Sequence, residues 1–253
     1  MQDTITTPPV SGPDMASSAV ADKEMQDMLR AGVHLGHAKS KTHTSMQEYI
    51  FGVRNTISLL DLAKTKDKLT VALDTLRDIA SKGGMVFFVG TRPAGRKAIL
   101  EVIDELNMPY FTERWIGGTL TNFREIQKRI NYLEQLETEK RTGGFEKYTK
   151  KERMGKDQEI ERLKKHFNGL RTLKRMPNAV FVVDMNEDIT AVREARQSNI
   201  PVIALVDTNS NAELIDYPIP SNDDALPAVR YMVGRVAEAI KEGRRMLIET
   251  KPE

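Results

Sequence analysis

The sequence predicts an α/β protein in which a three-layer parallel sheet carries an inserted antiparallel coiled-coil hairpin. Short apolar runs such as Met85–Val89 and Ala179–Val183 alternate with helical stripes, which is typical of strands covered by helices on both faces. Residues 119–175 instead place apolar side chains at three- and four-residue steps, which indicates two amphipathic helices. Between the two stripes, Gly143 and Gly144 suit the turn that would join them.

This pattern divides the chain into three parts. Residues 1–22 are rich in Pro, Ser, Thr and Ala without a periodic apolar face, so we expect a disordered extension. Residues 23–118 and 176–250 make up the predicted α/β core domain. Residues 119–175 make up the inserted hairpin, because two amphipathic stripes joined by a turn bury their apolar seams against each other.

The core elements are predicted in chain order. A short helix at Lys23–Ala31 precedes a polar segment, Ala38–Ser45, which we expect to be extended and ordered only by contact. The predicted strands are Thr56–Leu60, Met85–Val89, a short strand near Tyr110, Ala179–Val183, Pro201–Val206 and Tyr217–Ile219. The helices between and after them are Ala63–Ser81, a helix ending near Leu106, Ile189–Ser198 and Asp224–Glu249. This alternation favours a parallel sheet.

Charge is distributed unevenly. Residues 124–175 hold 16 basic and 9 acidic side chains, a net charge of +7 (16 − 9), while the whole chain carries +2. The remainder therefore sums to −5 (2 − 7). A solvated coiled coil would account for this surface, and so would an arm that binds a polyanion by neutralising its phosphates.

The bulk composition excludes several classes of protein. The chain has no cysteine, which excludes disulfides, thiolate metal sites and cysteine nucleophiles. No run reaches the roughly 18 apolar residues that span a bilayer, and the first residues lack the pattern of a signal peptide. We therefore expect a cytoplasmic protein without a membrane partner.

The turn Gly90-Thr-Arg-Pro-Ala-Gly95 lies where phosphate cradles occur, between a buried strand and a helix. It lacks the third glycine of the dinucleotide fingerprint and the Gly-Lys-Ser/Thr of a P-loop. We favour a tight structural turn over a nucleotide site, with Arg92 and Arg96 free to meet phosphates of another molecule. His34 and His37 lack a third ligand nearby, so packing or a phosphate contact is favoured over zinc.

Three aspartates follow predicted strands. Asp184 and Asp207 each come directly after a strand, and Asp188 lies four residues beyond Asp184. The carboxyl ends of parallel strands share one edge, so these oxygens could bind magnesium. Alternatively, the aspartates cap the following helices or accept hydrogen bonds from loop amides, and this is the interpretation that we favour.

The only tryptophan lies in Arg114-Trp-Ile-Gly-Gly-Thr-Leu-Thr-Asn122, at the entry to the hairpin. Trp115 could anchor the arm or stack on RNA, and the two glycines permit close backbone approach.

Several of these motifs, in order over about residues 24–248, resemble the bacterial small-subunit ribosomal protein S2 family. The motifs that carry the resemblance include Leu29-Arg-Ala-Gly-Val-His-Leu-Gly-His37, Arg114-Trp-Ile-Gly-Gly-Thr-Leu-Thr-Asn122, Pro177-Asn-Ala-Val-Phe-Val-Val-Asp184, Val206-Asp-Thr-Asn209 and Pro220-Ser-Asn-Asp-Asp-Ala225. The resemblance implies a flavodoxin-like or Rossmann-like sheet and no enzymatic activity. It also implies binding to ribosomal RNA, contact with neighbouring small-subunit proteins, and help in docking the large first protein of the subunit, which captures messenger RNA.

Some members of that family hold a divalent metal, and the family's aspartates match Asp184 and Asp207 here. With Asp188, which their position adds, these residues are the predicted ligands of a possible Mg²⁺ or Zn²⁺ ion. This chain departs from the common pattern there, with Ser210-Asn-Ala-Glu-Leu214 and Met185-Asn-Glu-Asp188 in place of an Asp-Pro turn and a histidine.

We therefore predict a structural RNA-binding protein of the small ribosomal subunit, with no DNA partner. The residues predicted to contact RNA are His34, His37, Lys39, Lys41, Arg92, Arg96, Arg114, Trp115, Lys147, Lys150, Lys151 and Arg153. Two other hypotheses are an enzyme that uses the Gly90–Gly95 turn for a phosphate ligand, and a coiled-coil scaffold that binds no RNA.

Overall fold

The computed structural model describes residues 15–249, in which strands and helices alternate. The helices are α1 (Met15–Ala31), α2 (Leu62–Ser81), α3 (Pro93–Leu106), α4 (Phe123–Arg141), α5 (Lys150–Phe167), α6 (Ile189–Gln197) and α7 (Leu226–Glu249). The strands are β1 (Leu35–Ala38), β2 (Ile50–Arg54), β3 (Ile57–Leu60), β4 (Val86–Val89), β5 (Tyr110–Phe111), β6 (Ala179–Val182), β7 (Val202–Val206) and β8 (Tyr217–Pro220). Short 3₁₀ turns connect several of them.

Five strands form the central sheet in the order β5-β4-β6-β7-β8, and every neighbouring pair is parallel. The residues of β4, β6 and β7 are all buried, which explains why their sequences are unbroken apolar runs. The predicted α/β class and parallel sheet are confirmed. Strand order reverses between β4 and β6, and in such sheets ligands bind beyond the carboxyl ends of the strands at this point.

Side chains on the two faces of the sheet enter two separate apolar clusters. Phe88 and Phe181 face the cluster that includes α1, α2, α3 and α7. Phe87 and Val182 face the other cluster, which includes α6 and the buried stripes of α4 and α5. Helices therefore cover both faces.

A second, three-stranded antiparallel sheet has the order β1-β3-β2. Thr56–Leu60, which the sequence analysis placed among the strand–helix units of the parallel sheet, belongs to this small sheet as β3, so that placement was wrong. The β2–β3 turn consists of Asn55 and Thr56, both with positive φ (48° and 69°). The sequence gives no Asn-Gly signal here, so the hairpin was missed. The segment predicted to be extended, Ala38–Ser45, contains a 3₁₀ turn at Lys39–Lys41 and the start of another at Thr44–Tyr49.

Helix α1 begins at Met15, eight residues before the predicted start at Lys23. The first part of the predicted disordered extension, residues 1–14, lies outside the described residues, as do residues 250–253. Among the helices that the structure describes, none combines the length and apolar character needed to cross a membrane.

Helices α4 and α5 lie side by side and run in opposite directions. Lys140 Nζ lies 2.8 Å from Asp157 Oδ1, and Lys164 Nζ lies 3.5 Å from Glu137 Oε1. The partner in α5 therefore lies further along the chain as the partner in α4 lies further back, which is the order of antiparallel helices. The apolar residues buried along the pair and the turn after α5 lie at the three- and four-residue steps that the sequence predicted: Ile126, Ile130, Leu133, Ile160, Leu163, Phe167 and Leu170. The knobs-into-holes packing of a coiled coil stays a prediction.

Two glycines of α7 have opposite surroundings. A Cβ built on Gly243 would lie 2.3 Å from the carbonyl oxygen of Arg77 and 2.8 Å from Ala80 Cβ, both in α2, whereas one on Gly234 meets nothing within 4 Å. The close approach of α7 to α2 therefore depends on Gly243.

We predict that Gly243→Ala lowers the free energy of unfolding by about 1–3 kcal/mol, because the added methyl forces the two helices apart. The matched variant Gly234→Ala should be neutral or raise it by up to about 1 kcal/mol through helix propensity. Urea unfolding of both variants tests this, and equal effects would contradict the proposed close contact.

Candidate functional site

The carboxyl edge of the parallel sheet collects buried acidic side chains. Asp184 follows β6, Asp207 follows β7, and Asp223 lies three residues beyond β8; all three are at most 2% exposed. Half-exposed Asp224 lies beside them. Burying several carboxylates together is costly unless cations or donors compensate their charge.

Two basic side chains supply part of that compensation. Arg92 Nε lies 2.7 Å from Asp184 Oδ2, and the same guanidinium pairs with Asp224. The two nitrogens of His37 lie between carboxylates, with Nδ1 3.1 Å from Asp207 Oδ2 and Nε2 3.2 Å from Asp224 Oδ2. The sequence analysis assigned His37 and Arg92 to phosphates, but here both face acidic groups.

Asp223 has the least compensated carboxyl group of the edge. Its buried Oδ1 has no hydrogen-bond partner. Burial, followed by repulsion from Asp184, Asp207 and Asp224, raises the pKa of Asp223 to about 9. Ligand atoms of Asp184, Asp223 and Asp224 all lie within 4.8 Å of one another, a grouping that suits an oxygen-liganded divalent cation.

Of the aspartates predicted to bind metal, only Asp184 belongs to this group. Asp188 accepts hydrogen bonds from the Thr91 amide (3.2 Å) and hydroxyl (2.9 Å), and burial raises its pKa to about 6. Asp207 faces His37 and accepts from Thr208. Asp223 and Asp224 also follow a strand, β8, but the sequence analysis did not include them among the candidate ligands. The last strand was predicted only as a short segment, Tyr217–Ile219, so the residues beyond it were not assigned to the edge of the sheet.

The Gly90–Gly95 turn serves packing. A Cβ on Gly90 would lie 2.8 Å from Ile99 Cδ1, and one on Gly95 would lie 3.1 Å from Val183 Cγ1. The Thr91 amide, which a phosphate would use, is already bonded to a carboxylate. Arg96 was expected to be free for phosphates, but its guanidinium is 2.7 Å from Glu113 Oε1.

A second site fixes the entry to the hairpin. Glu194 of α6 is buried, and its carboxylate accepts hydrogen bonds from the Trp115 indole (3.0 Å) and from the amides of Gly118 (2.8 Å), Leu120 (3.0 Å) and Thr121 (3.3 Å). Burial opposes ionisation of Glu194, but the donated hydrogen bonds prevail and lower its pKa.

The Trp115 ring packs at centroid distances of 5.8 Å from Phe87 and 5.2 Å from Phe111. Its indole and ring are therefore engaged within the protein, as an anchor requires. Of the two roles that the sequence left open, this geometry supports anchoring of the arm, and RNA stacking stays a prediction.

The tip of the hairpin carries two kinds of basic side chain. Lys147 Nζ lies 3.0 Å from Glu139 Oε1, and Lys156 Nζ lies 4.4 Å from the Tyr148 ring centroid, so both have internal partners. The other tip cations are exposed, and their side chains make no ion pair or hydrogen bond with any residue that the structure describes: Lys150, Lys151 and Arg153.

Four further residues were predicted to contact RNA, three exposed cations and one half-buried histidine. Lys39, Lys41 and Arg114 are exposed, and within residues 23–248 their side chains have no ion-pair partner. His34 is half-buried, and burial lowers its pKa. Among the described residues, no ion pair therefore competes with an external ligand for these three cations.

A comparison with protein families identifies the family of this chain. Residues 28–243 match the model of the family described as ribosomal protein S2. This match covers most of the 253 residues, so the chain belongs to the ribosomal protein S2 family. That family consists of structural proteins of the small ribosomal subunit and is not an enzyme family.

We predict that Glu194→Ala lowers the free energy of unfolding by about 3–5 kcal/mol, because it leaves several buried donors unpaired.

The lowered pKa of Glu194 means that its ionised form stabilises the fold above the ordinary pKa of 4.5, and that this stability is lost as pH falls through the lowered pKa. Glu194→Gln should therefore be less stable than the parent at neutral pH and should lack this acid-dependent loss. Chemical denaturation between neutral and acidic pH measures both effects. The exposed control Glu134→Ala should change little, and an equal loss there would contradict the assignment.

Proposed function

We propose that this member of the ribosomal protein S2 family supports translation by binding ribosomal RNA through its basic arm, as a structural component of the small subunit in the cytoplasm. In the same proposal it helps to dock the large subunit protein that captures messenger RNA. Family membership supports a place in the ribosome. The charge distribution supports RNA binding by the basic arm and protein contacts by the acidic body.

The observation that carries RNA binding is the position of Lys150, Lys151 and Arg153 in the first turn of α5. A helix N-terminus is the positive end of the helix dipole, so three cations there oppose both the dipole and one another. Each such placement costs about 0.3–1 kcal/mol at an exposed site. Glu152 is the only acidic residue of this turn, and no described side chain forms an ion pair with the three cations, so we infer that an external polyanion compensates them.

The local sequence keeps this turn ordered in spite of its charge. Thr149 and Glu152 form a reciprocal capping box, with the Thr149 amide 2.9 Å from Glu152 Oε2 and the Glu152 amide 3.4 Å from Thr149 Oγ1. The tip is therefore a pre-formed cationic surface, which reduces the entropy lost when it meets a phosphate backbone.

The acidic body suits neighbours other than RNA. Outside residues 124–175 the chain carries a net charge of −5 (2 − 7). We assign this part of the surface to neighbouring small-subunit proteins, including the large first protein. Electrostatic complementarity would orient such contacts more than it would strengthen them.

We also propose a divalent cation at the carboxylate group of Asp184, Asp223 and Asp224. Their geometry fits, because the oxygens are close together and Asp223 Oδ1 is buried without a partner. The ion would supply positive charge and so hold together the two loops that follow β6 and β8, with no chemical step. Carboxylate oxygens favour Mg²⁺, and the nearby imidazole of His37 would favour Zn²⁺.

An enzymatic role at the Gly90–Gly95 turn has less support. Glycine packing against Ile99 and Val183 already accounts for that turn. A coiled-coil scaffold that binds no RNA would leave the tip cations unexplained.

For the arm, we predict that the triple variant Lys150→Ala, Lys151→Ala, Arg153→Ala binds purified small-subunit RNA more weakly than the parent chain. The slope of log affinity against log salt should fall in magnitude by about 2, because binding that makes fewer phosphate contacts releases fewer counterions from the RNA. Filter binding over a salt series measures the slope. The matched control removes three body cations that already have carboxylate partners, Lys82, Arg230 and Lys241. A parental slope in the arm variant would exclude the arm from RNA binding.

For the cation, we predict that Mg²⁺ or Zn²⁺ raises the melting temperature of the parent chain but not that of Asp223→Asn. In a chelator, Asp223→Asn should instead be the more stable protein. The raised pKa of Asp223 gives the sign of its own contribution. That contribution to stability is fully present below the ordinary pKa of 3.8 and is lost as pH rises towards about 9, at up to about 1.4 kcal/mol per pH unit. The exposed control Asp104→Asn should respond to metal as the parent does. Equal metal effects in parent and Asp223→Asn would contradict the site.

A further inference from the structure

A cavity of about 240 Å³ lies at the base of the arm, where no function has been assigned so far. On the side of the body, α3 contributes Arg96 and Leu100, and Thr112 and Glu113 come directly after β5. On the side of the arm, the wall is formed by the end of α5 and the turn that follows it. The cavity therefore lies beyond the carboxyl end of an edge strand, the end of a parallel sheet at which α/β proteins bind ligands.

A close backbone contact fixes the two sides of this cavity relative to each other. A Cβ on Gly169, just beyond α5, would lie 2.4 Å from the carbonyl oxygen of Tyr110 and 2.8 Å from the Tyr110 ring. Only glycine lets the arm and β5 approach this closely. The cavity is therefore formed before any ligand arrives, which reduces the entropy lost on binding.

His166, in the last turn of α5, lines the cavity and has an unusual imidazole. Its Nδ1 is buried without a hydrogen-bond partner, and no described residue bonds to its Nε2. A neutral imidazole carries one N–H, and a proton on Nδ1 would be a buried donor with no acceptor. The proton therefore belongs on Nε2, the nitrogen that is left to donate to an acceptor from outside the chain.

Two cations lie around the same cavity. Arg96 pairs with Glu113 through Nη2, but a guanidinium has five N–H groups and can donate to a second acceptor while that pair persists. Lys165 is exposed and forms no ion pair with a described residue. With His166 neutral, the charged groups that line the cavity sum to +1 (2 − 1). The lining therefore suits an anion.

The remaining wall and the size of the cavity narrow the class of anion. Leu100 is 41% exposed and, with the ring of Tyr110, forms an apolar wall. Sites for drug-sized ligands start at about 300 Å³, so this cavity suits a smaller molecule. Three donors converge from Arg96, Lys165 and His166. A phosphate group has an oxygen for each of them, whereas a carboxylate has only two oxygens.

We propose that this cavity binds a small phosphate monoester such as a sugar phosphate, with its phosphate held by Arg96, Lys165 and His166 and its carbon skeleton against Leu100. Arg96 belongs to the body and the other two donors belong to the arm, so the bound ligand ties the arm to the body. The inference goes beyond RNA binding and does not depend on it, because a cavity of this size admits a terminal phosphate and not the backbone of an RNA helix.

The test is isothermal titration calorimetry of the full chain with ribose 5-phosphate as the probe. We expect a dissociation constant of about 1 mM or below, weaker binding of inorganic phosphate, which lacks the contact with the apolar wall, and no binding of ribose. Ribose 5-phosphate should also raise the melting temperature, since it binds only the folded chain.

Two variants test the donors. His166→Phe keeps an aromatic ring but removes the donor, and should weaken binding of ribose 5-phosphate roughly 10- to 100-fold, as expected for a hydrogen bond to a charged group. Lys165→Ala should weaken it roughly 2- to 5-fold, because ion pairs at exposed positions are weak. Arg162→Ala removes an exposed cation of α5 that does not line the cavity, so this matched control should bind as the parent does.

The outcomes separate this inference from the proposed function. No binding of ribose 5-phosphate at about 10 mM, or equal binding of inorganic phosphate, overturns the inference and leaves RNA binding by the arm untouched. Equal losses in Lys165→Ala and Arg162→Ala would indicate general attraction to a basic arm and also overturn it. If His166→Phe weakens binding of small-subunit RNA as much as that of ribose 5-phosphate, the cavity belongs to the RNA surface and the inference fails. A parent chain that binds ribose 5-phosphate but not RNA would support the inference and contradict the proposed function.

Discussion

The architecture depends on one buried carboxylate. The carboxylate of Glu194 on α6 accepts hydrogen bonds from the Trp115 indole and from three backbone amides of the segment before α4. These bonds connect the base of a long helical arm to the sheet that α6 covers. Charge-assisted hydrogen bonds to a desolvated carboxylate are strong and directional, so they fix the direction in which the arm leaves the body. The position of the basic tip relative to the sheet follows from this contact.

Much of the fold was predictable because its signals are local. The unbroken apolar runs of β4, β6 and β7 indicate strands buried on both faces, and the two helical stripes indicate the α4–α5 pair. The β2–β3 hairpin was not predictable, because its turn uses Asn55 and Thr56 rather than glycine. Tertiary contacts determine that turn, including the bond from the Lys39 amide to the Thr56 carbonyl.

The sequence indicated which side chains of the candidate sites carry charge, but not which of them have partners within the chain. Arg92, Arg96 and His37 were all assigned to external phosphates, and all three face carboxylates of the same chain. A sequence shows that a side chain is charged, but the free energy of an external contact depends on whether an internal one must first be broken. Lys150 and Arg153 differ because no described residue competes for them.

The chain therefore separates two electrostatic arrangements. Asp184 and Asp207 at the carboxyl edge of the sheet are buried and have partners within the chain, whereas buried Asp223 has none for its Oδ1. Lys150, Lys151 and Arg153 at the arm tip, and Lys39, Lys41 and Arg54 around the β2–β3 turn, are exposed and form no ion pair with a described residue. Such a division suits a protein that meets RNA at projecting surfaces while its body packs against other proteins.

The most direct test is ultraviolet crosslinking of intact small subunits followed by mass spectrometry of the nucleotide-bearing peptides. The account predicts crosslinks within residues 147–156 at the arm tip and within residues 39–56 around the small sheet. Crosslinks confined to other parts of the chain, with none at the arm tip, would contradict the claim that the basic arm is the principal contact with RNA.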